Sequence, residues 1–282
     1  MLRQTVSNFE VLIIGDGATI ETEREARRLE ESDPRIRYLH FPKGRHHGET
    51  YRHVAIEKAR SDSIFYLCDD DILMPNHLEN LLELLDDNDF AQSRNGYFDL
   101  GGELKLYPTD LSRKDVVSWH LKRPRRNFVS LTGTAHKKDV YFSIKPWETT
   151  PKGEWPDHYM WKKFFRLPDL RAATHLEMTA LQFPTSVGRQ GHNQELRYAE
   201  LRKWDQFASN PNSREILKSL VDQSANRLLV DLSMSSFYSA RRILTRASEI
   251  KAKVVQSFVN RLVPHTLNPK KPRKLSRFDQ DI

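Results

Sequence analysis

Two kinds of hydrophobic pattern alternate between Phe9 and Asp87. "FEVLIIGDG" is a β-branched and apolar run ended by a Gly-Asp-Gly turn, which predicts a buried strand. "ETEREARRLEE" then predicts a charged helix of good helix formers, closed by "SDP". "RIRYLHF" alternates as a half-buried strand does. "GETYRHVAIEKAR" sets Tyr51, Val54, Ala55 and Ala59 at helical spacing, so it predicts a helix packed on a sheet. "SIFYLC" predicts a third strand with Asp69, Asp70 and Asp71 at its carboxyl end. "MPNHLENLLELLDD" follows as a helix with Pro75 near its start and Leu78, Leu81, Leu82 and Leu85 on one face. Strand and helix in strict alternation predict a doubly wound α/β sheet, whose ligands bind outside the carboxyl ends of the strands. "GDG" and "CDDD" therefore share one rim.

Beyond residue 90 the pattern changes twice. Residues 90–190 mix short strands, loops with Pro and Gly, and aromatics; "GEWPDHYMWKKFF" predicts a loop entering a short helix with Trp161, Phe164 and Phe165 buried. From about residue 199 the chain is helix-forming, and its last residues are polar, basic and Pro-bearing. The expected organisation is an α/β domain over residues 1–198, a helical appendage over 199–264 and a disordered basic tail over 265–282.

Composition narrows the classes. With 38% hydrophobic and 10% aromatic residues the chain can build a core. No apolar run approaches the roughly 20 residues that span a bilayer, and the start has no secretory pattern. Cys68, the single cysteine, excludes an internal disulfide and reads first as a small strand residue. A cytoplasmic protein is expected. The net charge of +7 favours anionic partners, with the basic residues gathered in 113–128 and 268–278. Arg123, Arg125 and Arg126 are either a solvated loop or a clamp for diphosphate or anionic lipid. Peripheral contact with an anionic inner membrane face is allowed for. Nucleic acid is not expected, because the basic residues do not line a helix with interleaved aromatics.

Three adjacent carboxylates need compensation, from solvent, arginine or a cation. Converging oxygen ligands favour Mg2+ or Mn2+, which stabilises a diphosphate leaving group. A solvated turn whose last aspartate caps the next helix is equally consistent with the spacing.

"NFEVLIIGDGAT" followed by "GETYRHVAIEKARSDSIFYLCDDDILMPNHLENLL" resembles the nucleotide-sugar-binding half of family-2 glycosyltransferases with the GT-A fold. Downstream, "LTGTAHKKDVY" is similar to the family's acceptor-side strand and "GEWPDHYMWKKFF" to the segment holding its catalytic base. The resemblance implies a GT-A-like doubly wound mixed sheet flanked by helices, with the helical appendage after it. It also implies a metal-dependent inverting transferase that moves sugar from a nucleotide diphosphate, a UDP-sugar by expectation, to a glycan or lipid-linked acceptor. Asp16 would read the base and Arg52 would lie near base or diphosphate. Counting back from Pro75, Asp70 falls on the main metal-binding aspartate and Asp71 on the acidic residue after it. Asp69 takes the variable middle position beside the nucleotide, and Cys68 stands where the motif's first aspartate usually does. Asp157 matches the base that deprotonates the acceptor, and His192 in "GRQGHN" matches a late polar residue near the metal.

The sequence departs from that pattern at Gly15, where the family has a first aspartate, at His53 for an asparagine, and at Pro156 for a glutamate. The family also opens with a strand and helix ahead of the segment matching Phe9, and the nucleotide pocket is expected to lack that first strand. These departures motivate an alternative, a non-catalytic glycosyltransferase-like binding protein. A metal nuclease is the weaker third reading.

Overall fold

The computed structural model describes residues 1–99, 102–107, 109–122, 127–183 and 194–227. Residues Met1–Ala225 form one compact unit. The second unit, Asn226–Ile282, lies outside the described residues apart from its first two, and with it the expected basic tail and most of the expected helical appendage.

The alternating start folds as its pattern predicts. Strand β1 (Val11–Asp16) pairs in parallel with β2 (Ile36–Phe41), and helix α1 (Ile20–Ser32) connects them. Thr19 caps α1 by accepting from the Thr22 amide at 3.3 Å, and Arg27 pairs with Glu23 one turn earlier at 2.7 Å. β1 was expected to be buried, but only Gly15 of it is; the other five positions are half-buried. Among the described residues β2 is its one hydrogen-bonded neighbour, so its apolar side chains are covered less than those of a central strand. In β2, Ile36 and Tyr38 point inward as the alternation requires.

Helix α2 (Glu49–Lys58) buries Glu49, Ala55 and Ile56, a face rotated from the one its apolar spacing predicts. Glu49 sets that rotation, because its carboxylate accepts from the amides of His47 and Thr150 at 3.0 and 2.8 Å. Strand β3 is shorter than expected, Ser63–Phe65, and a two-residue strand β4 (Ile72–Leu73) follows the aspartates. Helix α3 (His77–Asp87) buries Leu78, Leu81 and Leu85. Its N-cap, Asn76, makes no side-chain capping bond to the helix; its Nδ2 donates instead to Glu177 at 2.9 Å. Gln4 substitutes from across the chain: its Oε1 accepts from the Leu78 amide at 2.9 Å and its Nε2 donates to the Met74 carbonyl at 2.8 Å.

Strands β5 (Phe90–Ser93), β6 (Gly96–Phe98), β7 (Leu104–Leu106) and helix α4 (Lys114–Lys122) lead to β8 (Thr134–Lys137), α5 (Lys138–Phe142), α6 (Pro156–Phe165), β9 (Ala172–His175) and β10 (Ala180–Leu181). The central sheet is mixed, in the order β3-β8-β5-β9, with β8 antiparallel to both neighbours and β5 parallel to β9. β10 pairs antiparallel with β4 and so pins the chain that leaves the aspartates. Helix α7 (Gln194–Ala208) and a helix over residues 213–227, α8, complete the described chain. Trp204 and Phe207 of α7 and Leu217 and Val221 of α8 pack with Met74, Phe98, Leu181 and Phe183.

The main core gathers Tyr66, Phe90, Val129, Tyr141, Trp147, Trp161 and Phe164. Trp161, Phe164 and Phe165 are buried as expected of α6. Polar groups cross this core in an ordered chain. The Tyr66 hydroxyl lies 2.7 Å from His136 Nε2, Trp147 Nε1 donates to the same hydroxyl at 3.0 Å, and His136 Nδ1 donates to the Lys137 carbonyl at 3.0 Å. Those partners fix the neutral tautomer of His136, and burial pushes its pKa down to about 4. Burial, aided by nearby His175, pushes His77 to about 3.

In the unfolded chain these imidazoles protonate near 6.5, whereas the fold keeps them neutral. Their contribution is fully present above pH 6.5 and lost as pH falls toward 4, at up to about 1.4 kcal/mol per pH unit for each. Urea midpoints measured from pH 7 to pH 5 are expected to fall steadily; a flat profile contradicts this reading.

Candidate functional site

Four segments bring chemistry to one region: the end of β1, helix α2, the loop between β3 and β4, and the start of α6. Arg52 on α2 is the hub. Its charge acts on Asp16, Cys68 and Asp157 alike, lowering the proton affinity of each. The guanidinium stacks over Trp147 at 4.8 Å from the ring centroid, and its Nη1 is buried without a hydrogen-bond partner among the described residues. Trp147 is held in turn by the hydroxyls of Tyr66 and Tyr141, which accept from its Nε1 and its amide at 3.0 and 2.9 Å. A buried cationic donor without an acceptor is costly in an empty protein, and an anionic ligand relieves that cost.

The aspartates do not continue the strand. Cys68 N donates to Thr132 Oγ1 at 2.9 Å, and Asp71 N donates back to the Cys68 carbonyl at 3.3 Å, which closes a tight turn. The turn splits the three carboxylates. The Asp69 side chain is 97% exposed. Asp70 and Asp71 face Cys68, and ligand atoms of the three all lie within 4.8 Å of one another. Asp71 does not cap α3; β4 intervenes and Asn76 holds that position.

The electrostatics of the turn are unfavourable as they stand. Burial, then the charges of Asp70 and Asp69, push Asp71 up to about 7 against the lowering effect of Thr132. Its Oδ1 is buried with no hydrogen-bond partner among the described residues. The Cys68 thiol is pushed up to about 12, mainly by burial and then by Asp71. Asp70 has some relief: Arg197 of α7 places its guanidinium 3.2 Å from Asp70 and 3.9 Å from Asp69. The orphaned oxygen and the convergent donors fit a divalent cation held by Asp70 and Asp71.

Asp16 is occupied from within. Lys43 pairs with it and the Gly44 amide donates to it at 2.6 Å. Burial raises its pKa, but these partners outweigh burial and the net shift is downward. The loop that wraps it turns through left-handed residues His46 and Gly48, and a Cβ on Gly48 would lie 2.5 Å from the Asp16 carboxyl carbon. A Cβ on Gly15 would lie 2.3 Å from the Tyr38 hydroxyl, so any larger residue there requires the Tyr38 ring to shift.

Asp157 sits in the first turn of α6. Its Oδ1 accepts from the His158 amide at 2.8 Å and its Oδ2 from Asn127 Nδ2 at 2.9 Å. Burial raises its pKa against those hydrogen bonds and Arg52. Such a carboxylate is oriented and more basic than a solvated one.

Of the residues singled out in the sequence, Arg52 links Asp16 and Asp157 to the turn of Cys68, Asp70 and Asp71, while Asp69 faces solvent. His192, Arg123, Arg125 and Arg126 lie outside the described residues. Reasoning from sequence missed Arg197, Thr132, Asn127 and the Trp147 shelf; none carries a local motif. No described helix is long and apolar enough to cross a membrane.

Comparison with known proteins gives the context. The chain is 35% identical over 97 residues to an uncharacterized glycosyltransferase of Rickettsia bellii, a match covering 34% of this chain and 14% of that protein. It is 28% identical over 111 residues to one of Haemophilus influenzae, covering 38% of this chain and 44% of that protein. The chain thus spans less than half the length of either relative. Among solved structures it is similar to Staphylococcus aureus TarS in complex with UDP, at TM-score 0.48 and 12% identity over 64% of this chain and 53% of that one. It is also similar to the Pyrobaculum calidifontis mannosyltransferase PcManGT in complex with GDP-Man and Mn2+, at TM-score 0.47 and 15% identity over 92% and 76%. The family model of Glycosyl transferase family 2 matches residues 1–144, just over half of the 282 residues, and on that match the chain belongs to this family.

Proposed function

We propose that the chain transfers a sugar from a nucleoside diphosphate donor, a UDP-sugar in the first instance, to a hydroxyl of a glycan or lipid-linked acceptor, with inversion. The reading rests on family membership. The observation that carries it is the buried, unpartnered Asp71 Oδ1 beside the convergent donor atoms of Cys68 and Asp70, with the unpartnered Nη1 of Arg52 on the same hub.

In this reading Asp70 and Asp71 hold a divalent cation, Mn2+ or Mg2+, which supplies charge neutralisation for the departing diphosphate. His192 is a further candidate ligand by the resemblance. Arg52 donates to a diphosphate oxygen and takes up part of the charge that develops there. Asp16 accepts from a ring N–H of the base once Lys43 yields, and exposed Asp69 borders the nucleotide without holding it. Asp157 accepts the proton of the acceptor hydroxyl as its oxygen bonds to the anomeric carbon and the bond from that carbon to the diphosphate breaks.

The test is a thermal melt with UDP, GDP or a matching nucleotide sugar, with and without Mn2+. A rise that requires both nucleotide and cation is expected; no rise with any nucleoside diphosphate contradicts the reading. Arg197 favours one second reading, in which a guanidinium compensates Asp70 in place of a cation. There the nucleotide response survives EDTA and is lost in Arg197→Ala.

A further inference from the structure

We propose that Cys68 is a third ligand of the cation site, as a thiolate, and that the site therefore prefers thiophilic divalent ions, Zn2+ or Co2+, over Mg2+. The inference rests on the cation site proposed above and adds to it a soft ligand at a position the family fills with aspartate.

Three observations carry it. The thiol sulfur lies within 4.8 Å of the ligand oxygens of both Asp70 and Asp71, so one ion can reach all three donors with modest contraction. Zinc–sulfur and zinc–oxygen bonds of about 2.3 and 2.0–2.2 Å put neighbouring ligand atoms roughly 3.5 Å apart. Second, the residue is held in that orientation, because Cys68 N is bonded to Thr132 and its carbonyl closes the turn onto Asp71. Third, its surroundings are not those of a core cysteine. The side chain faces two carboxylates, one with a buried oxygen that has no hydrogen-bond partner among the described residues. An apolar packing role explains neither that company nor the orphaned oxygen.

Mixed thiolate and carboxylate donors discriminate between ions by softness. Magnesium demands an oxygen shell and gains little from sulfur, whereas zinc and cobalt bind thiolate well. On binding, the sulfur–metal bond forms as the thiol proton leaves to solvent, with no change of oxidation state. Asp70 and Asp71 are both needed in this arrangement, and Cys68 decides which ion they hold.

The experiment is a Co2+ titration of the full chain, followed by ligand-field bands in the visible and by the near-ultraviolet thiolate-to-cobalt charge-transfer band. Labelling of the thiol by a disulfide reagent is run in parallel. Cys68 is the one cysteine in the sequence, so both signals report one position. Expected are a charge-transfer band that saturates with the ligand-field bands, protection of the thiol by Zn2+ and Co2+, and loss of the band in Cys68→Ser. Zn2+ affinity is expected to fall at least ~10-fold in that variant while Mg2+ affinity barely changes. Cys68→Asp tests the same point with a hard ligand and is expected to move preference toward Mg2+. Cobalt binding with ligand-field bands but no charge-transfer band, and with equal affinity in Cys68→Ser, overturns the inference and leaves the cation site standing. Absence of binding by any ion overturns the cation site itself. Circular dichroism of both variants confirms that they fold.

Discussion

Asp157→Asn is expected to lower kcat by about 10^2–10^4-fold while leaving nucleotide binding nearly unchanged. The amide keeps the volume and can still accept from the His158 amide, so helix α6 keeps its start. What it loses is the capacity to take a proton. The wild-type carboxylate is raised in pKa by burial yet held by two donors, which suits a base that must be both ionised and receptive. Turnover of a nucleotide sugar in the presence of acceptor, with thermal melts for donor binding, separates the two effects. A variant that loses binding and turnover together places Asp157 in the scaffold, not in the proton transfer.

Asp71→Asn has effects of opposite sign on stability and on cation binding. In the cation-free protein Asp71 titrates near 7, well above an unfolded aspartate near 3.8. A raised pKa means that stability from this group is present below pH 3.8 and lost as pH rises through about 7. At pH 8 the charged, buried carboxylate is therefore a burden, and the neutral amide is expected to stabilise the cation-free protein by about 1–3 kcal/mol. The difference should narrow at pH 5, where the folded group is protonated, and vanish only below about pH 3.8, where the unfolded aspartate is protonated too. Mn2+ should reverse the order at pH 8, stabilising the wild type and leaving the variant unmoved. Melting temperatures of the two proteins at pH 5 and pH 8, with and without Mn2+, read all four corners. A variant destabilised at both pH values contradicts the argument.

Much of this region is legible in local sequence because its signals are local. The β1 run and its Gly-Asp-Gly turn, the leucine face of α3 and the aromatic face of α6 are periodic patterns that need no partner to be recognised. The division of labour among Asp69, Asp70 and Asp71 follows from spacing to Pro75 only as a resemblance; the turn that enforces it depends on Thr132, a residue far along the chain. Arg197 is beyond local reading for the same reason, since its meeting with Asp70 exists only because α7 folds back over the loop. The short β3 escaped because "SIFYLC" reads as one apolar run, and the two-residue β4 because Ile72 and Leu73 become a strand only through their antiparallel partners Ala180 and Leu181. The burial of Glu49 runs against its residue type and is explained by amides at His47 and Thr150 that no periodicity reveals.

The contact between Gly15 and Tyr38 has a consequence for the history open to this lineage. Because a Cβ at position 15 would overlap the Tyr38 hydroxyl, a second acidic residue in the turn requires the Tyr38 ring to move. An aspartate arriving first meets the ring; a smaller residue at 38 arriving first opens a void under a half-covered strand. The make-up of the turn beside Asp16 is in that sense coupled to a ring on the neighbouring strand.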